Sequence, residues 1–250
     1  DHMKEAKRKV LLFPVYQTAL KTNLGGVGLL YRNRRATKIT PVTKDFRDAL
    51  QTGRIGLAAV DAGANQAILM VLMYGQSGGA LDNKKAQFTN SLARIAKKEL
   101  ASHIRGPKVI LGDLNADLKD LAALHGLIEY EGWTDLGAAA DRWGGTPNEF
   151  TCLGYNTKIP TRRDYILVSP EALALVKGFR VLHAEPFPVH SVLQVRFTAG
   201  EADHAPFGKR DPSSLFDALQ ENCRSLCKEE KRRAKRAREA AKSTQRMQRR

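Results

Sequence analysis

Short apolar runs alternate with polar intervals along the chain, and the length and period of each run predict its conformation. Residues 9–16, KVLLFPVY, and 25–31, GGVGLLY, are bounded by polar turn residues and read as buried strands. RIGLAAV (54–60) and AILMVLMY (67–74) form a second pair, and the DAGAN between them has the composition of a hairpin turn. At residue 82 the period changes. Asp82 is placed to cap a long amphipathic helix in which Phe88, Leu92, Ile95 and, further on, Leu100 and Ile104 share one face. RGP closes that helix, and KVILG is the next strand. A second helix is expected within 117–128. Strand-like EFTCL and RDYILVS follow, then a short helix around 170–176 and the strands FRVLHA and VLQVRF. Hairpins interrupt the strand–helix alternation, so the expected fold is α/β with a mixed rather than a purely parallel sheet.

Composition adds an organisation to this pattern. A chain of 250 residues that is 42% hydrophobic can bury a sizeable core. Residues 1–198 read as one folded domain, 199–220 as a linker and 221–250 as a basic tail, helical or disordered. No apolar run approaches the roughly eighteen residues of a membrane span, and no secretory signal pattern opens the chain. The three cysteines are too few and too odd for a disulfide framework, which points to a reducing, intracellular compartment. Cys223 and Cys227 are four apart with no His or further Cys nearby, and read as helical spacing rather than as a zinc site. The formal charge is +15, and +8 of it lies between Glu221 and Arg250. That distribution favours a polyanion partner, most often DNA or another nucleic acid, although a basic tail can also serve a membrane surface or nuclear import.

The candidate chemistry begins at VILGDLNAD (109–117). An apolar strand runs into Gly112 and then presents Asp113 and Asn115, two residues apart and therefore on one face. The pair can hold a water, a metal or a phosphate oxygen, although DLNAD is also ordinary turn material. In TRRDYILVSP, Asp164 stands just inside an apolar strand, where an unpaired carboxylate is costly. Arg162 or Arg163 can pair it in a plain salt bridge. The alternative is His190, at the mouth of the following strand, whose imidazole a carboxylate would orient and stabilise as a cation.

GGVGLLYRN, VLMYGQSGG, VILGDLNAD, RRDYILVSP and VHSVLQVRF occur in the order and near the spacing of the endonuclease/exonuclease/phosphatase superfamily. The resemblance extends over about residues 10–198, and GGVGLLYR is most similar to the endonuclease domains of LINE-type retrotransposons. It implies a four-layer α/β sandwich and hydrolysis of phosphodiesters dependent on Mg²⁺ or Mn²⁺. It further implies that Asp113 positions or deprotonates the attacking water, that Asn115 holds the scissile phosphate and that Tyr74 touches phosphate or lies beside the nucleophile. Asp164 and His190 would form a dyad, with Asn115, His190, Arg162 and Arg163 as phosphate contacts.

Two features depart from the family pattern. The final Ser-Asp-His motif is replaced by Pro188-Val189-His190, and valine cannot ligate a metal. The family's first-strand Asn and the Gln-Glu that supplies its principal metal ligand do not occur, which leads us to expect a domain lacking its first strands, with its metal ligands unknown. The leading expectation is a retroelement-derived DNA endonuclease domain. A catalytically impaired nucleic-acid-binding remnant is the rival, and a phosphatase of the same superfamily is a third reading.

Overall fold

The apolar run at 67–74 shows no alternation because the strand it forms is covered on both faces. The structure, a computed structural model, describes residues 13–17, 26–31, 36–63, 66–79, 81–103, 106–153, 159–183 and 189–198. All of them lie in the unit Asp1–Asp203. Strands β1 (Phe13–Gln17) and β2 (Gly28–Tyr31) pair antiparallel. The main sheet contains β3 (Ala36–Lys38), β4 (Ile55–Gly63), β5 (Gln66–Tyr74), β6 (Lys108–Asp113), β7 (Thr134–Asp135) and β10 (Asp164–Val168), in the order β3-β4-β5-β6-β10-β7. Its β5–β6 pair is parallel and all its other pairs are antiparallel, so the expectation of a mixed sheet holds. Two short hairpins complete the strands: β8 (Cys152–Leu153) with β9 (Pro160–Thr161), and β11 (Val176–Leu182) with β12 (Val192–Phe197).

Helices α1 (Lys44–Ala49), α2 (Asn83–Ala101) and α3 (Ala122–Glu131) contribute Phe46, Leu92, Ala96, Leu100, Leu124 and Leu127 to one apolar cluster. Leu57, Val71, Met73, Ile110 and Leu167 meet them from a single face of the sheet, as the register requires. From the opposite face Ile68, Val109, Ile166 and Val168 pack with Val176 and Phe179 of β11 and with Ala172 of the short helix α4 (Pro170–Leu173). Each fully buried Leu, Ile or Phe side chain contributes about 1.5–3 kcal/mol, so it is the two-sided covering that holds β5, β6 and β10 in place.

Gly112 shows how tightly these strands are set. A Cβ there would lie 1.8 Å from the Met73 carbonyl oxygen, and its φ of 146° is one that side-chain-bearing residues rarely adopt. The β6 and β5 backbones therefore approach each other closely immediately before Asp113.

The long helix forms as expected, with the Asp82 side chain accepting from Lys84 N at 2.9 Å. Its buried face differs. Phe88 is 38% exposed, and Ala86, Thr89, Ala93, Ala96 and Glu99 are buried beside Leu92 and Leu100. Small side chains let the helix lie close to the sheet, which turns the larger Phe88 outward. Glu99 is fully buried and accepts hydrogen bonds from Val42 N (2.7 Å), Thr43 N (2.8 Å) and Thr43 Oγ1 (2.5 Å). Burial alone would push this carboxyl up. The Thr43 and Val42 donors outweigh it, so Glu99 stays below the usual carboxylate range and ties α2 to the start of α1. Helix α1 was not anticipated, although Thr43 is a good N-cap before it. The expected linker and basic tail, the start of the first strand and Ile104 lie outside the described residues.

Candidate functional site

Three strands bring their ends to one place. Parallel pairing of β5 with β6 sets Tyr74 beside Asp113, and antiparallel pairing of β6 with β10 sets Asp164 on the other side of Asp113. Tyr74, Asp113 and Asp164 thus form one row across the sheet, on the same face as Val109, Ile166 and Val168. The row sits at the rim of that apolar cluster, so its carboxylates are partly stripped of water.

The backbone turns sharply after Asp113. Asn115 adopts φ 51°, a left-handed conformation that Asn tolerates better than most residues. Its backbone N–H donates to Asp113 Oδ1 at 2.9 Å, and its side-chain Nδ2 donates to Asp113 Oδ2 at 3.0 Å and to the Gly75 carbonyl at 3.2 Å. Both amide protons are spent in the free protein, so Asn115 fixes the direction of the Asp113 carboxylate.

His190 reaches the same point from the segment before β12, where it makes an antiparallel bridge to Cys152. Its Nδ1 lies 2.9 Å from Asp164 Oδ2, and its Nε2 lies 3.8 Å from Asp113 Oδ2. The pairing of Asp164 with His190 rather than with a neighbouring arginine settles the alternative left open by the sequence. The hydrogen bond that His190 donates to Asp164 holds the imidazole pKa above its usual value despite partial burial, which favours the cation. Asp113 is pushed up to about 6, first by burial and then by the charge of Asp164, against the lowering effect of Asn115 and His190.

Tyr74 stands beside Asp113 as expected from its place in the sheet, whereas Arg162 and Arg163 are turned away. The Tyr74 hydroxyl contacts Ser77 Oγ at 3.4 Å, and its ring lies under the Arg54 guanidinium. Arg162 and Arg163, the expected phosphate contacts, are held in internal ion pairs with Asp135 and Asp117 and are largely shielded. These pairs brace the loops on either side of β10.

Two residues of the site were not anticipated. Thr151 is 1% exposed, and its Oγ1 accepts from the backbone N–H of both Arg163 and Asp164 at 3.0 Å, which anchors the start of β10. Cys152 places its Sγ 3.8 Å from His190 Nε2, with its thiol pushed up by burial and by the two nearby carboxylates. The only sequence signal for either was a polar Thr-Cys pair inside an otherwise strand-like EFTCL.

Among the described residues, Asp113, Asp164 and His190 are the one group of three whose ligand atoms all lie within 4.8 Å of one another. Two carboxylates facing each other across a register pair, with Asp113 raised by burial and by the charge of Asp164, carry a mutual repulsion that a hard divalent cation would relieve. The oxygen donors of Asp113 and Asp164 are of the kind Mg²⁺ or Mn²⁺ takes.

Residues 4–207 match the model of the family described as Endonuclease/Exonuclease/phosphatase family. No curated protein matches the chain. Among solved structures, it is similar to the 3′ phosphatase NExo from Neisseria bound to a product DNA hairpin, with 20% identity over 67% of this chain and 73% of that one and a TM-score of 0.51. It is also similar to TDP2 from D. rerio complexed with a single-strand DNA product, with 13% identity over 78% and 81% of the chains and a TM-score of 0.54. At these identities the likeness is one of fold.

Proposed function

Because the chain belongs to the endonuclease/exonuclease/phosphatase family, we propose that it is a nuclease-type domain that hydrolyses phosphodiester bonds in DNA with a divalent metal. The observation that carries this reading is the Asp113–Asn115–Asp164–His190 cluster, in which a carboxylate with a pKa near neutrality faces a carboxylate-held imidazole. Asp113 and Asp164 would hold Mg²⁺ or Mn²⁺, and the ion when bound would stabilise charge on the phosphoryl oxygens. Asp113 is directed by Asn115 to accept the proton of an attacking water. His190, kept cationic by Asp164, presents Nε2–H to a non-bridging phosphate oxygen as charge develops there. Asn115 reaches the phosphate by exchanging one of its present acceptors. The basic charge favours DNA as the polyanion, and a four-layer sandwich and a retroelement origin remain part of the same reading.

A catalytically impaired binding remnant is the second reading. Val189 favours it, since it stands where the family places a carboxylate beside the last His. Nicking of supercoiled plasmid by the purified chain, in Mg²⁺ and in EDTA, separates the two. Mg²⁺-dependent nicking abolished by Asp113→Ala establishes the enzyme. Salt-sensitive DNA binding by folded protein without nicking overturns it in favour of the remnant.

A further inference from the structure

On the hairpin β11–β12, away from the carboxylates, a cavity of about 450 Å³ is lined by Trp143, Lys177, Gly178, Arg180, Gln194 and Arg196, among others. Its chemistry is one-sided: three cationic side chains, an indole, an amide and no acidic side chain. Among the described residues neither Lys177 nor Arg196 has a carboxylate partner, and the Arg180 Nε–H donates to Gln194 Oε1 at 2.6 Å.

The strand is shaped to make this cavity. In a regular strand Val176 and Phe179, three apart, would face opposite ways, yet both are buried in the same cluster. The register against β12 shifts between Val176 and Gly178, and the extra residue lets Lys177 and Arg180 both project outward. Gly178 then leaves room for the Arg196 guanidinium, whose Nε and Nη2 would each lie 3.0 Å from a Cβ at that position. Trp143 packs partly against the core and closes the cavity with an aromatic surface.

We propose that this cavity is a second nucleic-acid site, which takes an unpaired nucleotide with its base against Trp143 and its phosphate among Lys177, Arg180 and Arg196. Uncompensated cations focus an anion, an indole stacks a base of any identity, and the volume lies in the range of small-ligand pockets. Arg196 follows His190 by six residues, on the order of 20 Å of extended strand. A nucleotide held here would belong to the flank of a bound strand, several nucleotides from the reacting bond. The site rests on the nucleic-acid reading above and extends it to a preference for substrates with a single-stranded flank.

The chain has two tryptophans, and Trp133 is 8% exposed within the other apolar cluster. Trp133→Phe therefore leaves Trp143 as the sole reporter. Titration of this variant in EDTA with a single-stranded thymidylate pentamer is expected to quench its fluorescence saturably. The combined Arg180→Gln and Arg196→Gln variant, at exposed positions, is expected to weaken the binding roughly tenfold or more. Gly178→Ala, which displaces the guanidinium and keeps its charge, is expected to weaken it severalfold. His190→Ala is expected to leave the quenching intact. Absence of quenching, quenching that both β-strand variants leave unchanged, or quenching lost in His190→Ala would each overturn the proposal. Plasmid nicking reports on the carboxylate site independently, so a failure of catalysis and a failure of this cavity to bind are read separately.

Discussion

Replacing Asp113 by Asn should make the metal-free protein more stable while abolishing any hydrolysis. Asp113 is pushed from 3.8 to about 6 by burial and by Asp164. A shift of about two units means that its ionised form costs the folded state about 3 kcal/mol, fully felt above pH 6 and absent below the unfolded pKa near 4. Asparagine removes the charge and keeps the acceptor for the Asn115 backbone N–H. Its amide, however, turns a donor toward Asn115 Nδ2, which now donates to the carboxylate. That mismatch costs about 1–2 kcal/mol. The expected net gain at pH 8 is about 1–2 kcal/mol, and it should shrink by roughly 1.5 kcal/mol on going to pH 5, where Asp113 is largely protonated in the folded state. Urea unfolding followed by circular dichroism in EDTA at both pH values measures the difference through the midpoints. Added Mg²⁺ should stabilise the parent chain and narrow the gap, because the ion binds the folded pair of carboxylates. A variant less stable than the parent by the same amount at pH 5 and pH 8 would show that Asp113 is not held as a destabilised anion, and would refute the reasoning.

Four further outcomes follow from the same geometry. DNA binding in EDTA, measured by fluorescence anisotropy, should tighten as pH falls through about 6, as Asp113 loses its charge and His190⁺ is retained. Asp164→Asn removes the carboxylate charge that raises both Asp113 and His190, so the whole rise should move to lower pH; an unshifted profile would exclude the coupling of Asp164 to the two groups. Thr151→Val strips the shared acceptor from two backbone N–H groups and should cost about 2 kcal/mol in urea unfolding, with an accompanying loss of nicking. Gly112→Ala drives a methyl group into the Met73 carbonyl and should cost on the order of 3 kcal/mol or more, visible as a lowered melting temperature.

Most of the scaffold was legible in the chain. The hairpin at 54–74, the helix beginning after Asp82 and the strand ending in Gly112-Asp113 are local patterns, set by period, capping and turn chemistry. The residue types of the site were legible too, since a carboxylate in an apolar strand needs a partner wherever the chain goes. What the sequence could not determine was who that partner is. Arg162 and Arg163 adjoin Asp164 in sequence, but the antiparallel pairing of β10 turns them to Asp135 and Asp117 and leaves Asp164 to a histidine 26 residues away. Likewise Phe88 fits the helical stripe as well as Ala93 does, and only the close approach of helix to sheet chose the smaller residue. The anchoring by Thr151 and the cationic cavity on β11–β12 depend on contacts and a register shift between distant segments. Periodicity fixes which way a side chain points relative to its own backbone, whereas charge pairing, desolvation and cavities are properties of what the fold brings opposite it.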